Sequence, residues 1–257
     1  MGATESLALW FLIFARSGAL FTALPVFSHS GVPIQLRIAL SALLAFLLAP
    51  SISAGAVTQP LALWQLVRLL VMEVGSGLLL GSICRLVFFG VEMAAGIMAT
   101  EMGLTMSSIY NPMSNTASPV TGTVLYWMAL VLLLSLDMHH WILAAFQRSY
   151  VLLPIGGAHL NPALLPNIIL RSGSIFVVGV QIAAPMISVS FVISLVFAVL
   201  GRAVPQMNIF SESMPVRTLV GLGVFGLTCT LMAQYLTNYL RRLPEDMLSV
   251  AKLLGGK

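Results

Sequence analysis

Asp137, His139 and His140, within the run LDMHHW, are of types that could hold a metal ion. Asp137 and His140 stand i,i+3 and can share a helical face, while His139 is expected to point elsewhere. Two ligands are too few for a closed metal centre. The spacing therefore predicts a hydrogen-bonding cluster at a helix end and no metal. A second set, Arg16, Arg68, Glu73, Arg85 and Glu92, interrupts long apolar runs. A charge in hydrocarbon is expensive, so each should face protein or water. Arg85 and Glu92 are seven apart, on one helical face; Arg68 and Glu73 are five apart, a poor spacing for pairing within one helix. Such charges could line an ion or proton relay or a water-filled passage. So sparse an acidic series fits better with ion pairs between helices, including helices of partner subunits. There is no HExxH, no P-loop and no nucleophile elbow, so neither catalysis nor a cofactor is expected.

The elements that must carry these residues are apolar helices. Of 257 residues, 59% are hydrophobic and 8% charged, and the mean hydropathy is +1.01. Soluble domains carry about 25% charged residues. The class is an all-α, polytopic integral membrane protein; the apolar runs are continuous rather than alternating, which argues against a β-barrel. Ten of the twelve basic residues are Arg, and they are scattered, so no nucleic-acid surface is expected. Cys84 and Cys229 lie in apolar segments and read as small core residues rather than a disulfide pair. Glu5 is the only charge before the first apolar run and Arg16 sits inside it, which marks a retained helix rather than a cleaved signal.

About six long hydrophobic helices are expected within a single domain, 1–257: residues 7–27, 38–54, 61–100, 123–153, 165–200 and 216–240. The tail, 243–257, is polar and partly amphipathic. The third segment contains no proline. As one helix it would run about 60 Å, near twice the hydrocarbon thickness. It should break at Gly75, Gly77 or Gly81, or protrude. Pro185 should kink the fifth segment. Gly77-xxx-Gly81 and Gly90-xxx-Ala94 are small-residue spacings that suit close helix packing.

The stretch MGLTMSSIYNPMSNTASPVTG, 102–122, departs from this pattern. Met98, Met102 and Met106 fall at i, i+4 and i+8, one helical face running into a loop. Five of the fourteen methionines lie between 93 and 113. Methionine fills irregular gaps without a fixed shape. Ser107, Ser108, Ile109, Tyr110, Asn111, Pro112, Met113 and Ser114 follow with no charge, and Pro112 and Pro119 interrupt helix. Non-helical backbone at membrane depth must be shielded by protein or line water. The loop therefore lies outside the bilayer or sits in a pore; the residue types leave both open.

Several pieces, in order along nearly the whole chain, resemble one family. They are FARSGALFTALPVFSHSGVPIQLRIALSALLAFLLAP (14–50), EMGLTMSSIYNP (101–112), LLSLDMHHWILAAF (133–146), SYVLLPIG (149–156) and RAVPQMNIFSESMPVRTLVGL (202–222). The most specific is the run holding Pro205, Gln206, Asn208 and Phe210. The chain resembles the FliR/SctT family of type III secretion export-gate subunits, the flagellar branch more than the virulence branch. The resemblance implies helical hairpins packed into a cone-like hetero-oligomer with FliP-like and FliQ-like subunits, beside FlhB-like and FlhA-like export components. It places the chain in the bacterial inner membrane, among lipid, at the flagellar basal body, passing unfolded export substrates. It also implies that the loop, with Met102 and Met106 to Ser114, plugs the closed channel. In such an assembly Arg68, Glu73, Arg85 and Glu92 would find counter-charges on neighbouring subunits. The alternative is a stand-alone secondary transporter or ion channel, which would depend on Glu73, Arg85 or Glu92.

Overall fold

A computed structural model of the chain describes residues 3–28, 31–52, 63–105, 120–159 and 161–256. Every regular element among them is helical: α1 (Ala3–Ala23), α2 (Pro25–Ser28), α3 (Ile34–Leu48), α4 (Leu63–Glu101), α5 (Val120–Ser135), α6 (Met138–Leu152), α7 (Leu164–Ala203), α8 (Ile209–Leu240) and α9 (Leu243–Leu254). Five helical stretches are long and apolar enough to cross a membrane, six if α5 and α6 count as one broken span. The chain is thus an all-α membrane protein with the number of long apolar helices its composition predicts.

Local chemistry sets where these helices stop. α4 runs unbroken for 39 residues, about 58 Å; it does not break at Gly75, Gly77 or Gly81. It ends at a glycine cap. Gly103 takes φ 75°, its amide donates to the Thr100 carbonyl, and the Leu104 amide reaches back to Ala99 at 2.9 Å. That is the paired hydrogen-bond pattern by which a left-handed glycine closes a helix. The expected segment 123–153 is two helices. Asp137 sits at φ 55°, and short polar side chains tolerate that left-handed conformation better than most. α7 continues through Pro185. α8 starts at Ile209, seven residues before the expected boundary, because Ser211, Glu212 and Ser213 make its first turn too polar for hydropathy to register. Asn208 caps that start: its Oδ1 accepts from the Ser211 amide at 3.3 Å.

The described residues group into two compact units. The first draws on Met1–Leu86, Leu136–Arg171 and Leu240–Lys257; the second on Val87–Ser135 and Ser172–Tyr239. In the first, α1 packs on α3, and α9 on α6. α9 buries Leu243, Met247, Val250, Ala251 and Leu254, positions that recur on one helical face. Arg171 holds α9 from α7, with Nη1 2.5 Å from Asp246 Oδ1 and Nη2 donating to Ser249 Oγ at 2.6 Å. The amphipathic tail is therefore docked on its own unit. In the second unit the core includes Met98, Met102, Leu125, Ile182 and Met186. Phe191, Val199, Leu219 and Leu227 of α7 and α8 stay exposed, an apolar surface suited to lipid or to other protein.

Candidate functional site

In the first unit the charges singled out in the sequence resolve into a buried pair. Arg16 of α1 and Glu73 of α4 both have fully buried side chains. The guanidinium meets the carboxylate twice, Nε to Oε2 at 2.5 Å and Nη2 to Oε1 at 3.0 Å. This two-pronged geometry is the strongest that arginine offers. Nη1 donates to the Leu153 carbonyl at 3.1 Å, and the Gly156 amide donates to Glu73 Oε1 at 3.0 Å. The Tyr150 ring lies 4.2 Å from the guanidinium carbon. One ion pair thus joins α1, α4, α6 and the turn after α6. Glu73 thus has a counter-charge in its own chain.

Small residues make that approach possible. On α4, Glu73, Gly77 and Gly81 recur every four residues and face α1. A β-carbon on Gly77 would lie 2.8 Å from Ala19 Cβ, and one on Gly81 2.5 Å from Ala23 Cβ. In the second unit Gly90 meets Val178 of α7 in the same way, at 3.0 Å.

The second unit holds the methionine face. Met98 and Met102 are fully buried. Met93 covers Gly179 of α7, and Met102 covers Gly221 of α8. The Met102 carbonyl accepts from Thr218 Oγ1 at 2.8 Å, and a side chain at Gly103 would meet Met214 Sδ. The segment that leads into the loop is therefore clamped on α8. Met106, Ser107, Ser108, Ile109, Tyr110, Asn111, Pro112, Met113 and Ser114 lie outside the described residues. Removing the clamp with Thr218→Val should cost about 0.5–1.5 kcal/mol. Faster amide exchange confined to residues 99–105 is the expected signature; an unchanged exchange pattern would count against the clamp.

A polar cluster sits beside it. Ser190 Oγ donates to Glu101. Arg217 donates to Ser190 Oγ at 3.0 Å and to Ser194 Oγ at 2.8 Å, with its Nη1 4.0 Å from Glu101. The sequence reading passed over Glu101, Ser190, Ser194 and Arg217 as cluster members. The available signal was two serines four apart, a spacing that puts both on one face of α7. Arg217 and Glu101 are partly exposed while Ser190 is buried, so the charge pairing itself adds little stability.

The remaining predicted residues are dispersed. Arg68, Arg85 and Glu92 are exposed on α4. Pro205, Gln206 and Asn208 are exposed in the turn between α7 and α8, and Phe210 is exposed in the first turn of α8. Gly201 lets Ile209 close over that turn, where a β-carbon would collide with the isoleucine side chain. Asp137, His139 and His140 come together, contrary to the expectation for His139. One ligand atom from each lies within 4.8 Å of the others.

The chain is similar in sequence to known proteins over nearly its whole length. The family model for bacterial export proteins, family 1, matches residues 7–243. The flagellar biosynthetic protein FliR of Caulobacter vibrioides is 30% identical over 235 residues, covering 90% of this chain and 92% of that one. FliR of Escherichia coli is 28% identical over 253 residues, 96% and 95% of the two chains. FliR of Bacillus subtilis is 26% identical over 250 residues, 95% of each. With the match spanning every long apolar helix, the chain belongs to bacterial export proteins, family 1, and within it to the FliR family of flagellar biosynthetic proteins.

Proposed function

We propose that this chain is a structural, pore-forming subunit of the flagellar protein export gate in the bacterial inner membrane. It passes unfolded substrate proteins and works without catalysing a reaction. The observation that carries the reading is family membership over 7–243, at nearly the full length of relatives named flagellar biosynthetic protein FliR. FliP-like and FliQ-like subunits are its proposed partners in a hetero-oligomer, with FlhB-like and FlhA-like components beside them. The exposed apolar faces of α7 and α8 suit such packing. Arg68, Arg85 and Glu92 are proposed to meet charges of neighbouring subunits, because an exposed charge on a long apolar helix is costly in lipid. The exposed turn with Pro205, Gln206, Asn208 and Phe210 is proposed as a further contact.

The plug is proposed as Met102 with Met106 to Ser114. The clamp of Met102 on α8 supports it, because a stopper needs a fixed base. The loop's chemistry is uncharged and methionine-rich, able to pack against chains of any sequence. The transporter reading loses ground at Glu73, which is sealed by Arg16 rather than open to a proton path.

Two measurements test the proposal. Co-expressed with FliP and FliQ from the same source, the tagged chain should elute from detergent as one copy in a large mixed complex. A stable particle of this chain alone, indifferent to those partners, would overturn the reading. In the assembled gate, deleting 106–114 should raise permeability to small solutes, and unchanged leak would remove the plug assignment.

A further inference from the structure

We propose that Asp137, His139 and His140 form a binding site for one divalent transition-metal ion of the zinc type. The site lies wholly within the first unit, at the start of α6. Three observations converge on it. The ligand atoms of the three residues lie within 4.8 Å of one another. His140 Nδ1 is 3.4 Å from Asp137 Oδ1; ligands about 2.0–2.1 Å from a tetrahedral zinc stand about 3.3 Å apart. The His139 and His140 rings are 4.0 Å apart between centroids, although neighbouring residues on a helix ordinarily diverge.

An ordinary ion pair accounts for only part of this. It explains Asp137 with His140 and leaves His139 without a role. His139 Nδ1 is a buried atom with no hydrogen-bond partner among the described residues, and an orphaned buried polar atom asks for a ligand. Asp137 adds a second anomaly. It occupies the N-cap position of α6, yet its side chain makes no capping hydrogen bond, a contact that would stabilise the helix by about 1 kcal/mol. Its backbone carbonyl takes the first-turn amides of His140 and Trp141 instead. The left-handed backbone at Asp137 thus turns the carboxylate away from the helix end and toward the imidazoles.

Two imidazole nitrogens and one carboxylate oxygen suit zinc, nickel or copper and not magnesium or calcium, which prefer oxygen ligands. Three protein ligands leave a coordination position open to water. The side chains of Asp137 and His140 are about 70% exposed, so an ion has a path in. The positive end of α6 opposes a dication, so micromolar affinity is expected rather than the tighter binding of closed structural sites. An ion there would brace the first turn of α6.

The test uses the full chain in detergent, carrying a tag without histidine and stripped with chelator. Zinc is titrated in competition with a chromogenic indicator, and melting is followed in parallel. The wild type should take up one equivalent with saturation, and its melting temperature should rise with zinc. His139→Gln, His140→Gln and Asp137→Asn should each weaken binding about tenfold or more and abolish the thermal shift. His159→Gln should leave both unchanged. Excess magnesium should not compete. Absence of saturable binding overturns the proposal, and so does wild-type affinity in His139→Gln, which would reduce the cluster to a surface ion pair. Because Asp137 and His140 are exposed and His139 only half-buried, the variants should remain folded, and an unchanged elution profile verifies that.

Discussion

Glu73→Ala is expected to destabilise the protein by about 3–5 kcal/mol, because it leaves the Arg16 guanidinium buried without its counter-ion. Both side chains are fully buried, so water cannot take over the lost contact. The variant also orphans the Gly156 amide, which donates to the same carboxylate. Against the stability of an ordinary domain, a loss of this size removes much of the margin. Denaturation of the purified protein in detergent gives the measurement. The double variant Arg16→Met with Glu73→Leu should regain most of the loss, since matched apolar groups often replace a buried ion pair at little cost. A single variant costing under about 1 kcal/mol would mean that water reaches the pair.

The second large effect concerns two glycines on one helix. Gly77→Ala should destabilise by about 1–3 kcal/mol, the usual cost of overpacking. Its new methyl would stand 2.8 Å from Ala19 Cβ and closer still to the Arg16 carbonyl. The carbonyl is backbone, so relief requires α1 to move, and that motion pulls Arg16 away from Glu73. Gly75→Ala, two residues earlier, has nothing within 4 Å of its new methyl. It should be neutral or stabilise by up to about 1 kcal/mol through helix propensity alone. The same chemical change thus carries opposite signs at two positions on α4. Because Gly77 and the ion pair share one interface, Gly77→Ala should cost less when Arg16 and Glu73 are already apolar. Equal effects of the two alanines in the wild type would refute the packing argument.

How much of this was legible beforehand follows from what each signal measures. Hydropathy sums transfer free energy over a window, so the membrane class and the long helices were readable from composition and runs alone. The family resemblance was readable because its pieces keep their order over most of the chain. Windows average out single residues, however. That hid the left-handed Asp137 that divides 123–153, and the capped polar turn that starts α8 at Ile209. Gly77-xxx-Gly81 was visible as a spacing, but nothing in the spacing says that its neighbour is α1 of the same chain. Arg16 and Glu73 were each visible as a costly charge; their union was not, because they are 57 residues apart. Likewise His139 joins Asp137 and His140 only through the backbone turn at the helix break. The sequence by itself determined which groups could not be left in lipid. Tertiary structure alone decided which partner each one found, because a buried charge is satisfied by whatever the fold brings within about 3 Å, and sequence distance does not enter that condition.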